Sequence, residues 1–224
     1  MPKRALVFGH THGLGLEITQ ALLNDNYHVI GISRSVSETR SSNLVNITAD
    51  LSNEAEVQTA IDSIKQDHTE FSVLIFAAGT LTAHDIDKLD YAEMERSYKV
   101  NTFAPMFIES QLLDLIKKNG TDVVNVTSSA LVDYYPKFAE YSSSKAALAK
   151  FTRDLQKELQ DTEARVTDVC PSGFTSNIYK IMTGDKIDRD ESKQMQASDL
   201  AALIIYLIKL PKIMEVSYIY VNRK

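Results

Sequence analysis

Ala5-Leu6-Val7-Phe8-Gly9-His10-Thr11-His12-Gly13-Leu14-Gly15-Leu16-Glu17-Ile18-Thr19-Gln20-Ala21-Leu22-Leu23 is the stretch whose reading decides the fold. Four apolar residues form a short buried strand, three glycines in the order G-x-x-x-G-x-G form a turn, and the remainder has helical periodicity. Glycines without Cβ atoms let backbone N–H groups approach a pyrophosphate at the helix N-terminus, where the dipole favours negative charge. The turn therefore nominates Gly9, Thr11, His12, Gly13, Leu14 and Gly15 as contacts to a dinucleotide. His10 and His12 invite a metal or catalytic reading, but an exposed loop beside a phosphate accommodates imidazole without such a role, and no metal site is expected.

Outward from this unit, strand and helix patterns alternate to the end of the chain. Strands are expected at 28–32, 44–48, 71–76, 121–127, 164–170 and 216–221, and helices at about 54–65, 140–160 and 198–209. Residues 91–118 read as one long helical region with a kink at Pro105. Such alternation predicts an α/β protein: a doubly wound, Rossmann-type parallel sheet of about seven strands, helices on both faces and right-handed crossovers. At 224 residues and 44% hydrophobic, the chain can build one sizeable core, and one domain over 1–224 is expected. No segment approaches a membrane span, and Met1-Pro2-Lys3-Arg4 leads straight into a strand, so a cytoplasmic protein is expected. The net charge of −6 argues against a nucleic-acid partner. The single cysteine, Cys170, lies in an apolar strand and reads as an inert buried thiol.

The end of the second strand bears on the cofactor. In folds of this kind an acidic side chain at that point binds the ribose 2′-hydroxyl of NAD, whereas an NADP site removes the charge and adds an arginine. Ser33 stands at the acidic position and Arg34 follows, which favours NADP over NAD. Glu38 is the nearest carboxylate in sequence that would otherwise pair with Arg34.

Tyr141-Ser142-Ser143-Ser144-Lys145 opens a run to Leu159 without Gly or Pro. On a helix, positions i and i+4 share a face, so the phenol of Tyr141 and the amine of Lys145 point the same way. A cation within about 4–6 Å favours the phenolate, and a phenol so tuned exchanges protons with an alcohol or carbonyl oxygen near neutral pH. Ser128, thirteen residues upstream at the carboxyl end of a strand, can donate to a ligand oxygen, although a serine there also serves as a turn or cap.

Strand, serine, thirteen residues, then Tyr-x-x-x-Lys resembles the short-chain dehydrogenase/reductase family. The resemblance implies that Asn101, in Lys99-Val100-Asn101, joins Ser128, Tyr141 and Lys145 as a fourth catalytic residue, its backbone carbonyl holding a water that links Lys145 to solvent. It implies contacts of Asp50 and Leu51 with the adenine edge, and cofactor contacts from Ala77, Ala78 and Gly79, from Pro171, Ser172 and Gly173, and from Ser176 at the position of the family's Thr. Lys145 would also hold the nicotinamide ribose. Three departures stand out: Phe8 replaces the Thr that usually opens the glycine motif, Phe76 and Ala77 replace two Asn, and Ser172 replaces a Gly. Residues 174–195 read as a lid. Leu81, Leu131, Val132, Tyr134, Tyr135, Phe138, Phe174 and Tyr179 suggest an apolar, partly aromatic pocket. The expectation is an NADP(H)-dependent oxidoreductase acting on a small carbonyl or alcohol, as a homodimer or homotetramer. The alternative is a redox sensor or docking protein that binds NADP(H) with little turnover.

Overall fold

The computed structural model of the chain describes residues 3–175 and 195–224. Seven parallel strands lie in the order β3-β2-β1-β4-β5-β6-β7. They are β1 (Arg4–Phe8), β2 (His28–Ser33), β3 (Leu44–Thr48), β4 (Val73–Phe76), β5 (Asp122–Val126), β6 (Arg165–Pro171) and β7 (Tyr218–Val221). The order turns back between β1 and β4, so the connections leave in opposite directions and open a crevice at the carboxyl ends of those strands. The two central strands, β1 and β4, are nearly continuous apolar runs because helices cover both faces.

The helices are α1 (Gly13–Asn24), α2 (Glu54–Asp67), α3 (Tyr91–Tyr98), α4 (Ala104–Gln111), α5 (Leu113–Asn119), α6 (Ala139–Leu159) and α7 (Ala197–Ile208). Side chains alternate across the sheet and divide the core in two. Leu6, Phe8, Leu74 and Val123 pack against Ile61 and Ile64 of α2, Ile108 of α4 and Leu155 of α6. Val7, Val29, Ile75 and Val124 pack on the other face against Ile18 and Leu22 of α1 and Leu200 and Ile204 of α7.

The long helix expected over 91–118 is broken twice. After α3 the chain widens into a π turn over Lys99–Phe103, where Ala104 N–H donates to Lys99 O. In a regular α-helix the carbonyl of Asn101 would receive the N–H of residue 105, and Pro105 has none, so the ladder must re-form around that point. The proline therefore acts one turn upstream of itself. A second break falls at Leu112, which no proline or glycine marks. Helix α6 buries Ser144, Lys145, Leu148, Ala149, Thr152, Leu155 and Leu159, an i, i+3, i+4 stripe laid over β5 and β6.

Ser176, Tyr179 and the interior of the expected lid lie outside the described residues. The two ends of that lid meet: Phe174 bridges to Met195, and Thr175 N–H donates to Met195 O at 2.8 Å. Among the described residues no helix is long and apolar enough to cross a membrane.

Candidate active site

A cleft of about 760 Å³, open mouth included, occupies the crevice at the strand ends. Ala77, Ala78 and Gly79 form one wall, Pro171, Ser172 and Gly173 another, and Leu14 closes one end. Ser128, Tyr141 and Lys145 all line it, so three polar residues from the β5 end and α6 share one space.

Each is positioned by its element. Lys145 is 3% exposed and its Nζ donates to Val126 O at 2.8 Å, which ties α6 to the end of β5. Burial pushes the Lys145 amine down to about 8, against the charge of Asp168, which favours the ammonium. Ser128 Oγ accepts the Ala130 N–H at 3.2 Å and caps the short turn Ser129–Leu131. Accepting that bond leaves the hydroxyl proton for an oxygen in the cleft, so the cap and the site readings hold together. Tyr141 stands in the first turn of α6, half-buried at the cleft wall.

Asn101 reaches the site indirectly. Its Oδ1 accepts Thr80 N–H at 2.9 Å, and its Nδ2 donates to Thr80 O at 2.9 Å and to Ser144 Oγ at 3.0 Å. The side chain thus clamps the loop after β4 to α6. A Cβ placed on Gly79 would stand 3.5 Å from Asn101 Oδ1 and 3.7 Å from Lys145 Nζ, so backbone, amide and amine share one spot.

The side of the cleft that holds the glycine turn is equally tight. Gly9 has φ +90, and a Cβ there would lie 2.6 Å from Ala78 N, while one on Gly15 would lie 2.0 Å from Gly9 O. The glycine turn is therefore packed against the Ala77-Ala78-Gly79 loop with no room for a side chain. Phe8 and Phe76 stack directly beneath, centroids 4.4 Å apart and planes at 13°, both buried. Two of the departures seen in the sequence are thus one feature, an aromatic pair supporting both loops.

Helix α1 starts at Gly13, and its N-cap His12 makes no side-chain capping bond; His12 Nδ1 lies 2.9 Å from Thr11 Oγ1 instead. The first-turn N–H groups are left for a ligand. At the end of β2, Ser33 is buried with its Oγ unpartnered among the described residues, and Arg34 is exposed beside it. The charge of Arg34 acts on Asp50, whose ion-pair partner is Arg96 at 3.9 Å. Burial works to raise the Asp50 carboxyl, but bonds from Ser52 N–H and Ser52 Oγ, with the charges of Arg96 and Arg34, bring it below its ordinary value. Leu51 is buried next to it.

Two readings are corrected. His10 is not in an exposed loop: it is fully buried, its ring seated where a Cβ on Gly31 would stand, 2.3 Å from that position. His10 Nε2 lies 2.7 Å from Asn46 Oδ1, which also accepts Ser37 N–H at 3.0 Å. The imidazole thus braces the loop after Arg34, and only Gly31 gives it room. Of the expected pocket walls, Leu81, Tyr135, Phe138 and Phe174 line the cleft, whereas Leu131 does not, and Val132 and Tyr134 face solvent at 62% and 85% exposure.

Ser172, where the family has Gly, accepts Arg223 N–H on its Oγ at 2.9 Å and ties the chain end to the cleft wall. Ser129 also lines the cleft, its Oγ 3.0 Å from Tyr135 OH, and sequence reasoning passed it over beside Ser128. Sequence reasoning likewise passed over Asp168, although a carboxylate within Val166-Thr167-Asp168-Val169-Cys170 is a visible signal. Cys170 is fully buried, and burial pushes its thiol up, away from the reactive thiolate.

The sequence profile of the short chain dehydrogenase family matches residues 3–186. An uncharacterized oxidoreductase of Staphylococcus saprophyticus is 24% identical over 98% of this chain and 97% of its own. Serine dehydrogenase complexed with NADP+ superposes with a TM-score of 0.89 at 20% identity, covering 97% of this chain and 93% of that one. 4-Hydroxyisoleucine dehydrogenase complexed with NADH superposes at 0.86 and 19% identity, covering 99% and 97%. The structural likenesses speak for the fold; the profile, matched along most of the chain, carries the lineage, and this protein belongs to the short-chain dehydrogenase family.

Proposed function

We propose that the chain is a nicotinamide-dependent oxidoreductase that interconverts a small carbonyl compound and its alcohol, with NADP(H) preferred and Tyr141 as general acid and base. The convergence of Ser128, Tyr141 and Lys145 on one cleft, beside a glycine turn with no room for a side chain, carries this reading. The residues present fit a dinucleotide: the crowded Gly9–Gly15 turn, the uncapped start of α1 and the Ser33 Oγ, unpartnered among the described residues, lie at the carboxyl ends of the adjacent strands β1 and β2. Bound there, the nicotinamide would give or take the hydride. Thr11, His12, Gly13 and Leu14 would receive the phosphates, Arg34 a 2′-phosphate, and Asp50 with Leu51 the adenine edge. The relatives bound to NADP+ and to NADH show that the fold serves both cofactors, so the choice of NADP rests on Ser33 and Arg34.

Ser128 donates to the substrate oxygen, Tyr141 gives it a proton in reduction, and the Lys145 ammonium favours the phenolate that remains. The Asn101 carbonyl, which cannot receive an N–H from Pro105, would hold a water on the proton path. Ser176 would meet the carboxamide. Replacing Tyr141 by Phe should lower NADPH-dependent carbonyl reduction by about 10²–10⁴-fold while leaving the NADPH dissociation constant unchanged. Titration with NADPH and NADH followed by NADPH oxidation against aldehydes and ketones makes the measurement. Undiminished turnover in the Phe variant would overturn the role of Tyr141, tighter NADH binding would overturn that of Arg34, and tight binding with no turnover on any carbonyl would favour the sensor reading.

A further inference from the structure

Asp168 is a buried charge for which the proposed chemistry has no use. It stands within β6 at 0% exposure, in an otherwise mostly apolar run. A carboxylate in that setting is unfavourable unless something compensates it. Its Oδ1 accepts from Thr127 Oγ1 at 2.5 Å, and its Oδ2 has no hydrogen-bond partner among the described residues. Thr127 follows Val126, the residue whose carbonyl receives Lys145 Nζ. Val126 pairs with Val169 in the sheet, so Lys145 and Asp168 are anchored to adjoining residues of the same two strands. Lys145 lies on the face of α6 that packs on β6, and Arg153, two turns further along, is exposed.

We propose that Asp168 is the counter-charge that keeps Lys145 protonated, and so acts as a positioning residue for the acid–base work of Tyr141. This rests on the function proposed above for the cleft. Burial by itself drives Lys145 toward the neutral amine, and the charge of Asp168 acts in the opposite sense. Among the described residues, other titratable groups near this point are Tyr141 and Arg153 from α6, Cys170 from β6, Tyr218 from β7 and Asp133 from the loop after β5. Among the described residues, Asp168 is the carboxylate whose charge reaches Lys145. Arg153 and Lys145 in turn hold Asp168 toward its ionised form, although burial keeps its carboxyl above the ordinary value. A neutral Lys145 would no longer favour the phenolate of Tyr141.

Asp168→Asn tests this, because the amide keeps an acceptor for Thr127 and removes the charge. The Lys145 titration is followed by NMR on protein carrying ¹³C-labelled lysine, with Lys145→Arg assigning the resonance, and so needs no turnover. The midpoint should fall by about one pH unit or more in the Asn variant. Asp168→Ser, smaller and equally neutral, should shift it the same way and serves if the Asn variant does not fold. In the active protein the alkaline limb of kcat for carbonyl reduction should move down by the same interval, with KM for the carbonyl little changed. An unmoved Lys145 midpoint in a folded neutral variant would overturn the counter-charge. If the wild type shows no Tyr141-dependent turnover, the functional reading fails, while the NMR titration still decides whether Asp168 sets the charge of Lys145.

Discussion

At the scale of single residues, the role proposed for Lys145 and the stability of the fold pull against each other. The amine is held at about 8 inside the fold, below its ordinary 10.5, so at neutral pH the folded state carries a desolvated ammonium that the unfolded chain would hydrate. The sign follows: the penalty is fully present below pH 8 and is relieved as pH rises from 8 toward 10.5. Its size is on the order of 3 kcal/mol. Lys145→Met should therefore melt at a higher temperature than the wild type at pH 7, with the advantage shrinking by pH 10, and should lose carbonyl reduction. A thermal melt at the two pH values checks it; a variant less stable at pH 7 would mean that the bond to Val126 O outweighs the desolvation. Ser128, Tyr141 and Lys145 were legible as a trio because their spacing along a strand and a helix is a local property. His10 was misread because its burial depends on Gly31 and Asn46, which belong to other strands.

At the scale of elements, α4, β5 and α6 meet around a polar island in the core. Glu109 of α4 is fully buried beside Asn125 of β5, whose Nδ2 donates to Thr152 Oγ1 of α6 at 2.9 Å. Burial raises the Glu109 carboxyl to about 8, well above its ordinary value, with Asn125 a smaller opposing influence. A raised carboxyl stabilises the fold only while the unfolded chain also keeps its proton. Stability therefore declines as pH rises from about 4.5 to about 8, by several kcal/mol in all. Glu109→Gln keeps the neutral shape and should be more stable than the wild type by about 3 kcal/mol at pH 7 and equal to it near pH 4. Urea unfolding at both pH values measures this; a constant difference across pH would show that Glu109 is ionised in the fold. The same region shows how far 91–118 is legible as one helix with a kink at Pro105: the residue pattern does not say that the kink is a widening at 99–103 that turns Asn101 inward onto Thr80 and Ser144. Pro105 was the visible signal, and its missing N–H acts on the preceding turn.

At the scale of the molecule, the strand ends opposite the cleft are tied by a charged knot. Arg165 Nε donates to Asp122 Oδ1 at 2.7 Å, and its Nη1 donates to the carbonyls of Leu210, Pro211 and Met214 at 3.1, 3.0 and 2.7 Å. Lys212 adds a second bond to Asp122 Oδ1 at 2.7 Å. Removing the guanidinium leaves a buried carboxylate with one partner and three carbonyls to find water, so Arg165→Ala should lower unfolding stability by about 3 kcal/mol. Turnover at 25 °C should persist, because the knot lies at the other end of the sheet from the cleft. A loss below about 1 kcal/mol in denaturant unfolding would show that Lys212 and solvent satisfy those groups.

The sequence by itself determined the parallel α/β architecture, the glycine turn and the spacing of Ser128, Tyr141 and Lys145, because periodicity and spacing are read along one chain and survive any packing. Tertiary structure decided what lies next to what across the sheet. It set Phe8 on Phe76, His10 over Gly31, Ser172 at Arg223 and Asp168 beside the strand end that holds Lys145. Strand order and register bring those residues together, and burial then changes the chemistry of groups that in sequence look ordinary.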